Sequence, residues 1–330
     1  MTAVTFVCPV CRGPVSNEAD AYVCAACPRR YPIVLGIPDF RLTPDPWISI
    51  EDDRAKGLAL DARTRGLGFA ETVEAYWAMT PTTSAERARR FTEHVLAGEA
   101  RSREWLAALG LEAAVDASPW IDLGCGTADL SAVIAPARPV IAIDIAFRWL
   151  VVAQRRLRER GAGHVTLACA DAAALPLADR AAGRVVSMGL LEHTPRLARV
   201  IGEAVRSLDA GGHLHLRTTN RYSLLPEPHV NVWGVGFVPA RFADRYVTWR
   251  TGERYQHLHQ TSAGPLRRTM RAAGLAEVSV GPAAALPSDA RRLGSGEALV
   301  AAYNRAGRLP GVRRAMAWVA PLLDAHGVKR

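Results

Sequence analysis

The sequence predicts an α/β chain: a doubly wound, mostly parallel sheet with helices on both faces, fronted by a small zinc-binding ribbon. Three observations carry that expectation. From Trp120 onward, short apolar runs alternate with amphipathic segments at a spacing that suits strands and crossover helices. One run, Trp120-Ile121-Asp122-Leu123, delivers a carboxylate into the glycine bend Gly124-Cys125-Gly126-Thr127-Ala128-Asp129. Two Cys-x-x-Cys pairs, Cys8/Cys11 and Cys24/Cys27, stand twelve residues apart near the N-terminus.

The cysteines come first along the chain. Two knuckles of this kind place four thiolates around Zn²⁺, which a segment of about 40 residues needs because it cannot bury enough apolar surface alone. With Cys8, Cys11, Cys24 and Cys27 all ligating, the site is closed and its role is structural. A pair of disulfides is the rival reading, and an expected cytoplasmic location disfavours it. That location is expected because no run approaches about 18 uncharged apolar residues. Nor does a basic start with an apolar stretch precede Cys8. Pro44, Pro46 and the acids Glu51, Asp52 and Asp53 mark 43–67 as a linker. From 68 to 110 the pattern turns helical, with Tyr76 and Trp77 either lining a lid or packing in a core.

After the glycine bend comes Val140-Ile141-Ala142-Ile143-Asp144, a second buried strand ending in a carboxylate. A helix is expected over 147–160, a strand over 164–169 that leads to Asp171 and Ala172, and a strand over 184–189. A helix over 196–208, the turn Asp209-Ala210-Gly211-Gly212 and a strand over 213–219 follow. The tail reads as a helix at 265–273, a strand at 276–280 and helices at 297–307 and 312–326. Ligands of such sheets sit beyond the carboxyl ends of the strands, where these acids stand.

At 330 residues and 49% hydrophobic content, the chain can build one large domain with a small appendage. A net charge of +9 raises nucleic acid as a partner. The positive charge is almost all Arg and interleaved with acids, so Arg155, Arg156, Arg158 and Arg160 read as the solvated face of a helix.

Gly124 and Gly126 let backbone approach a ligand closely, and Asp144, 18 positions after Gly126, sits where a carboxylate can accept both hydroxyls of a ribose. A dinucleotide site is the competing reading. It fails on Asp129, a carboxylate ill suited to a pyrophosphate at a helix start but tolerable beside a cationic sulfonium. Asp-x-Gly-x-Gly-Thr followed by a strand-terminal Asp resembles the first two motifs of the class I S-adenosylmethionine-dependent methyltransferases. Position 128, often a third glycine there, is Ala in this chain. The resemblance implies a seven-stranded sheet and S-adenosylmethionine as cofactor. It places Asp122 beside the methionine moiety, and Asp171 with the Ala172 N–H at the adenine. Ile145 and Gly189 complete the cofactor set.

Ser187-Met188-Gly189-Leu190-Leu191-Glu192-His193 resembles the small-molecule, type 11-like branch, in which ubiquinone-pathway O-methyltransferases share the Glu-His pair. Some of those add a Glu three places before the pair to hold a divalent ion. Here that place is Gly189, so metal assistance is not expected. His193 is the candidate general base, with anchoring of the loop as its alternative role. The mixture Thr218–Pro239 suits no regular element and reads as a long ordered loop over 218–240. Its Asn-Arg-Tyr-Ser-Leu-x-Pro-Glu-Pro-His segment resembles one that shapes the acceptor pocket in bacterial metabolite methyltransferases. Glu192, Asn220, Arg221, Glu227, His229 and Trp233 are the substrate candidates, with Phe237 as a further apolar wall.

The front module, with Tyr31-Pro-Ile-x-x-Gly-Ile-Pro after its cysteines, resembles the short zinc-binding proteins that activate tRNA and protein methyltransferases in trans. Here it is fused, as residues 1–42, ahead of a methyltransferase domain at 68–330. Its expected job is to brace the sheet or to form part of the substrate mouth. Bacterial rRNA guanine methyltransferases also carry such a module. The expected activity is methyl transfer to oxygen or nitrogen of a small or lipophilic metabolite. An rRNA or tRNA base methyltransferase is the alternative, and a non-catalytic scaffold of the same fold is the third reading.

Overall fold

In this computed structural model, which describes residues 4–81, 83–112, 118–289 and 296–330, the chain divides into two units at Val185/Val186. The first unit opens on four short antiparallel strands, β1 (Val15–Asn17), β2 (Ala21–Cys24), β3 (Arg30–Val34) and β4 (Ile37–Pro38). Leu35 and Gly36 close the last hairpin, both at positive φ (52° and 77°), the geometry that matches strand twist across a two-residue turn. Phe6, Tyr22, Tyr31 and Phe40 pack ring against ring beneath it, with centroids about 5 Å apart.

Three strands of this unit are parallel: β5 (Trp120–Leu123), β6 (Val140–Asp144) and β7 (Thr166–Cys169). Their near-continuous apolar runs are buried, as strands covered on both faces require. The ribbon joins the β7 edge. Phe40 N–H donates to the Cys169 carbonyl at 2.8 Å, and Asp39 bridges Cys169 in parallel. An exposed row of strand donors and acceptors is thereby covered.

Helices α1 (Ile50–Arg63), α2 (Phe69–Ala78), α3 (Ala85–Leu96) and α4 (Gly98–Ala108) precede β5. Most of the expected linker is thus α1. Ser49 Oγ accepts the Asp52 N–H at 3.0 Å, and Glu51, Asp52 and Asp53 are the first-turn acids that favour a helix N-terminus. Helices α5 (Asp129–Ile134) and α6 (Phe147–Glu159) follow β5 and β6. Of those four arginines, Arg158 and Arg160 are exposed. Arg155 and Arg156 are buried, paired with Asp61 at 2.7 Å and Glu99 at 3.3 Å, so the expected solvated arginine face is half interior. Tyr76 stacks on Trp149 at 4.1 Å and accepts from Arg148 Nε, which places it in the core rather than on a lid.

The division falls within β8 (Ala182–Met188). The second unit continues with α7 (Leu197–Ser207), β9 (Leu208–Thr219), α8 (Ala240–Thr251), α9 (Ala263–Ala272) and β10 (Leu275–Pro282). It ends with α10 (Glu297–Ala306), α11 (Pro310–Val319) and β11 (Leu322–Lys329). The seven strands run β10-β11-β9-β8-β5-β6-β7, a mostly parallel sheet in which β11 is antiparallel to both β9 and β10. The expected turn at 209–212 is absorbed into β9, where Gly211 takes φ +75° at an exposed position. The expected helix over 312–326 stops at Val319. Pro321 cannot continue it, and from Leu322 burial alternates residue by residue, the mark of a strand.

Candidate donor and acceptor sites

The glycine bend is built by hydrogen bonds that the two carboxylates accept. Asp144, at the end of β6, takes the Gly126 N–H on Oδ2 and the Ala146 N–H on Oδ1, both at 2.8 Å. Asp122, buried in β5, takes both the Ser131 N–H (3.0 Å) and hydroxyl (2.6 Å) on Oδ2 and so fixes the first turns of α5. Burial, with Asp129 and Asp144 nearby, pushes Asp122 up to about 7 despite the Ser131 bonds. Burial likewise raises Asp144. Gly124 and Gly126 stand at φ +76° and +51°, and a side chain built on Gly126 would meet open space. Ala128 is also left-handed, at φ 56°, which explains why glycine is usual at this place. Asp171 is buried, its Oδ1 taking the Ala173 N–H and its Oδ2 the Thr43 hydroxyl, both at 2.8 Å; Ala172 is half-buried beside it. This set fits an adenosyl ligand: an open glycine cradle, with carboxylates at three successive strand ends.

Sequence reasoning had no sight of what holds the cradle from behind. Asp53 is fully buried and accepts the Phe147 N–H at 2.7 Å, so α1 caps the N-terminus of α6 from outside that helix. The same carboxylate receives Arg41 (2.6 Å) and Arg148 (2.8 Å); Arg41 also binds Asp39, and Arg148 also binds Asp45. Arg41 Nη1 donates to the Ile145 carbonyl at 3.2 Å, next to Asp144. Residues 39–53 therefore position the loop after Asp144 through a buried charge network. Only their long-range pairing reveals it.

In the second unit, Gly189 (φ +77°) ends β8 and turns the chain into the short helical turn Leu191–His193. Glu192 is buried, with Oε2 accepting the Thr218 hydroxyl at 2.7 Å and its carbonyl accepting the His259 N–H at 2.7 Å. His193 meets His229 edge to face, centroids 4.9 Å apart. Glu227 Oε1 accepts from His229 Nδ1 at 2.6 Å, and its Oε2 takes the N–H groups of His229 and Val230. Glu192, His193 and His229 bring one ligand atom each within 4.8 Å of one another, a grouping that could hold a metal ion. Tyr255 lies in the same neighbourhood. Burial, with Glu227 and Glu192 beside it, raises its hydroxyl, which has no hydrogen-bond partner among the described residues.

The other substrate candidates part company with this cluster. Asn220 is buried, and its Nδ2 donates to the carbonyls of Ala317, Trp318 and Ala320, closing the end of α11. Arg221 Nε donates to the Gly236 carbonyl at 3.1 Å, bracing the loop. Trp233 is 59% exposed, and its Nε1 donates to the Leu224 carbonyl.

The four front cysteines cluster within 4.8 Å, with Cys8–Cys27 and Cys11–Cys24 sulfurs 3.7 and 3.5 Å apart. Sulfurs on a tetrahedral zinc stand about 3.8 Å apart, given Zn–S near 2.3 Å. The set fits such an ion. A groove of about 600 Å³ lies where the ribbon meets β7, between Tyr22 and Leu167, and contains none of the expected site residues.

Residues 121–216 match the family model described as a methyltransferase domain. The malonyl-[acyl-carrier protein] O-methyltransferase of Methylococcus capsulatus is 29% identical over 199 residues, 58% of this chain and 62% of that one. The demethylmenaquinone methyltransferase of Anoxybacillus flavithermus is 30% identical over 109 residues, 32% of this chain and 46% of that one. The chain thus spans less than two thirds of the length of either relative. Among solved structures, a phosphoethanolamine N-methyltransferase 2 of Haemonchus contortus, in complex with S-adenosylhomocysteine, aligns at a TM-score of 0.48. It is 16% identical and covers 69% of this chain and 52% of its own. Over residues 121–216 the chain is thus similar to methyltransferase domains.

Proposed function

We propose that the chain is an S-adenosylmethionine-dependent methyltransferase acting on oxygen or nitrogen of a small or lipophilic metabolite, with a structural zinc ion in its ribbon. The observation that carries the reading is the cradle: an open bend at Gly126, its N–H fixed by Asp144, between two carboxylate-bearing strands. Asp122, Gly124, Gly126, Asp144, Ile145, Asp171 and Ala172 would hold the cofactor, which when bound supplies an electrophilic methyl group on sulfur. Asp144 has lone pairs left for ribose hydroxyls after accepting two N–H groups. Cys8, Cys11, Cys24 and Cys27 would hold the zinc.

The acceptor's proton passes to the histidine pair. Glu227 fixes His229 as the Nδ1–H tautomer, which leaves Nε2 as its accepting atom, and the carboxylate stabilises the imidazolium that forms. His193, ring against His229, shares that role. Replacing His193 or His229 with Ala, or Glu227 with Gln, is expected to lower kcat by about 100-fold or more while S-adenosylhomocysteine affinity stays within about twofold. Equal losses in both quantities would retire the base assignment.

The meeting of Glu192, His193 and His229 favours a second reading, in which they hold a divalent cation that orients the acceptor. Activity lost on chelation and restored by Mg²⁺ or Mn²⁺ would select it. Salt separates metabolite from RNA: an enzyme gripping several phosphates weakens steeply between 50 and 200 mM salt, on the order of 10³-fold or more, whereas a metabolite enzyme scarcely responds. Cofactor binding without transfer to any acceptor would leave the scaffold reading.

A further inference from the structure

Three histidines lie on one face of the second unit's sheet, away from the residues given roles above. His213 and His215 are two apart on β9 and so project from the same face; His326 on β11 is the direct cross-strand partner of His215. Their rings gather closely: His215 and His326 centroids are 4.7 Å apart, and His213 and His326 are 5.4 Å apart. His213 Nδ1 and His326 Nε2 are separated by 3.1 Å, and one nitrogen from each of the three falls within 4.8 Å of the others. His215 is buried, and the other two are half-buried.

We propose that His213, His215 and His326 form a binding site for a divalent transition-metal ion of borderline softness, Zn²⁺ above all, distinct from the cysteine ribbon. The chemistry follows from the donor set. Three neutral imidazoles with no thiolate suit Zn²⁺, Ni²⁺ or Cu²⁺ and serve Mg²⁺ or Ca²⁺ poorly. Nitrogens sharing a tetrahedral zinc stand about 3.3 Å apart, given Zn–N near 2.0–2.1 Å. The His213–His326 spacing already matches, and His215 brings a ring nitrogen within 4.8 Å of both. Three protein ligands leave a fourth position for water, on the half-exposed side of the cluster. The ion joins β9 to β11, the last strand of the chain, which inserts between β9 and β10. Binding therefore ties the C-terminal strand into the sheet and raises stability by mass action.

The site stands independently of the methyltransferase reading, and its test needs no turnover. Full-length protein with its cysteine ribbon zinc-loaded is titrated with Zn²⁺ against a chromophoric chelator, and thermal unfolding is followed in parallel. One further equivalent is expected to bind and to raise Tm. In His213→Gln and His326→Gln that equivalent should weaken by about tenfold or more and the Tm rise should vanish; His229→Gln should bind as wild type. X-ray absorption of the wild type with Co²⁺ as its second ion should show a first shell containing three imidazole nitrogens and no sulfur. That measurement decides even if a variant fails to fold. No second equivalent, an equivalent insensitive to both strand variants, or one lost with His229→Gln would overturn the proposal and leave a hydrogen-bonded histidine stack only.

Discussion

Asp53→Ala offers the sharpest test of how the cradle is held. The side chain is 0% exposed and receives four donors: the N–H groups of Phe147 and Arg148, and the guanidinium groups of Arg41 and Arg148. Removing one partner of a buried ion network costs ~3–5 kcal/mol because the remaining charges lose compensation. Arg41 keeps Asp39 and Arg148 keeps Asp45, which places the loss near the lower end, ~3 kcal/mol. The lost cap on α6 is part of that loss, about 1 kcal/mol. Glu51, exposed in the same helical turn, is the control, and Glu51→Ala should stay within about 0.5 kcal/mol. Urea unfolding of both variants measures the difference, and calorimetry should show Asp53→Ala binding S-adenosylhomocysteine more weakly, since the network reaches the Ile145 carbonyl. A loss below about 1 kcal/mol, or unchanged affinity in a destabilised protein, would refute the reasoning.

Other outcomes follow from the same geometry. Asp122 sits near 7 in the folded chain against about 3.9 when unfolded. The folded state thus binds the extra proton between those values, and stability falls as pH rises from about 4 to 7, by up to ~1.4 kcal/mol per pH unit. Asp122→Asn keeps a single oxygen for both Ser131 donors, so its urea-unfolding profile should be flatter over that window; a slope equal to wild type would show that Asp122 is not the group responsible. In zinc-loaded protein, Cys24→Ser should release the metal to a colorimetric chelator and expose the 6–40 segment to protease, whereas Cys125→Ser should do neither. Retained zinc in Cys24→Ser would contradict the four-thiolate site.

What was legible in the sequence was local. β5 and β6 are short, contiguous and buried, and the bend between them is marked by its glycines, so apolar runs and glycines declare them. The Cys-x-x-Cys pairs declare themselves by spacing. Asp53 and Arg156 gave no such signal, because their partners lie 94 and 57 positions away and a buried charge looks like a solvated one until its partner is found. Asn220 reads as a polar pocket residue, and only the carbonyls of α11 show it to be a helix cap. β11 was readable in part: Pro321, inside the expected helix, argues against a helix through 326. The Glu192, His193 and His229 cluster was half visible, since Glu192 and His193 are adjacent while His229 arrives from a loop 36 residues later.

Calorimetric titration with S-adenosylhomocysteine, on wild type and on an Asp144→Ala variant whose fold is verified by thermal unfolding, probes the cradle most directly. Saturable heat at one site per chain, lost when Asp144 is removed, is the predicted result. Silence with this ligand alongside clear binding of a nicotinamide dinucleotide, or full affinity without the Asp144 carboxylate, would contradict it.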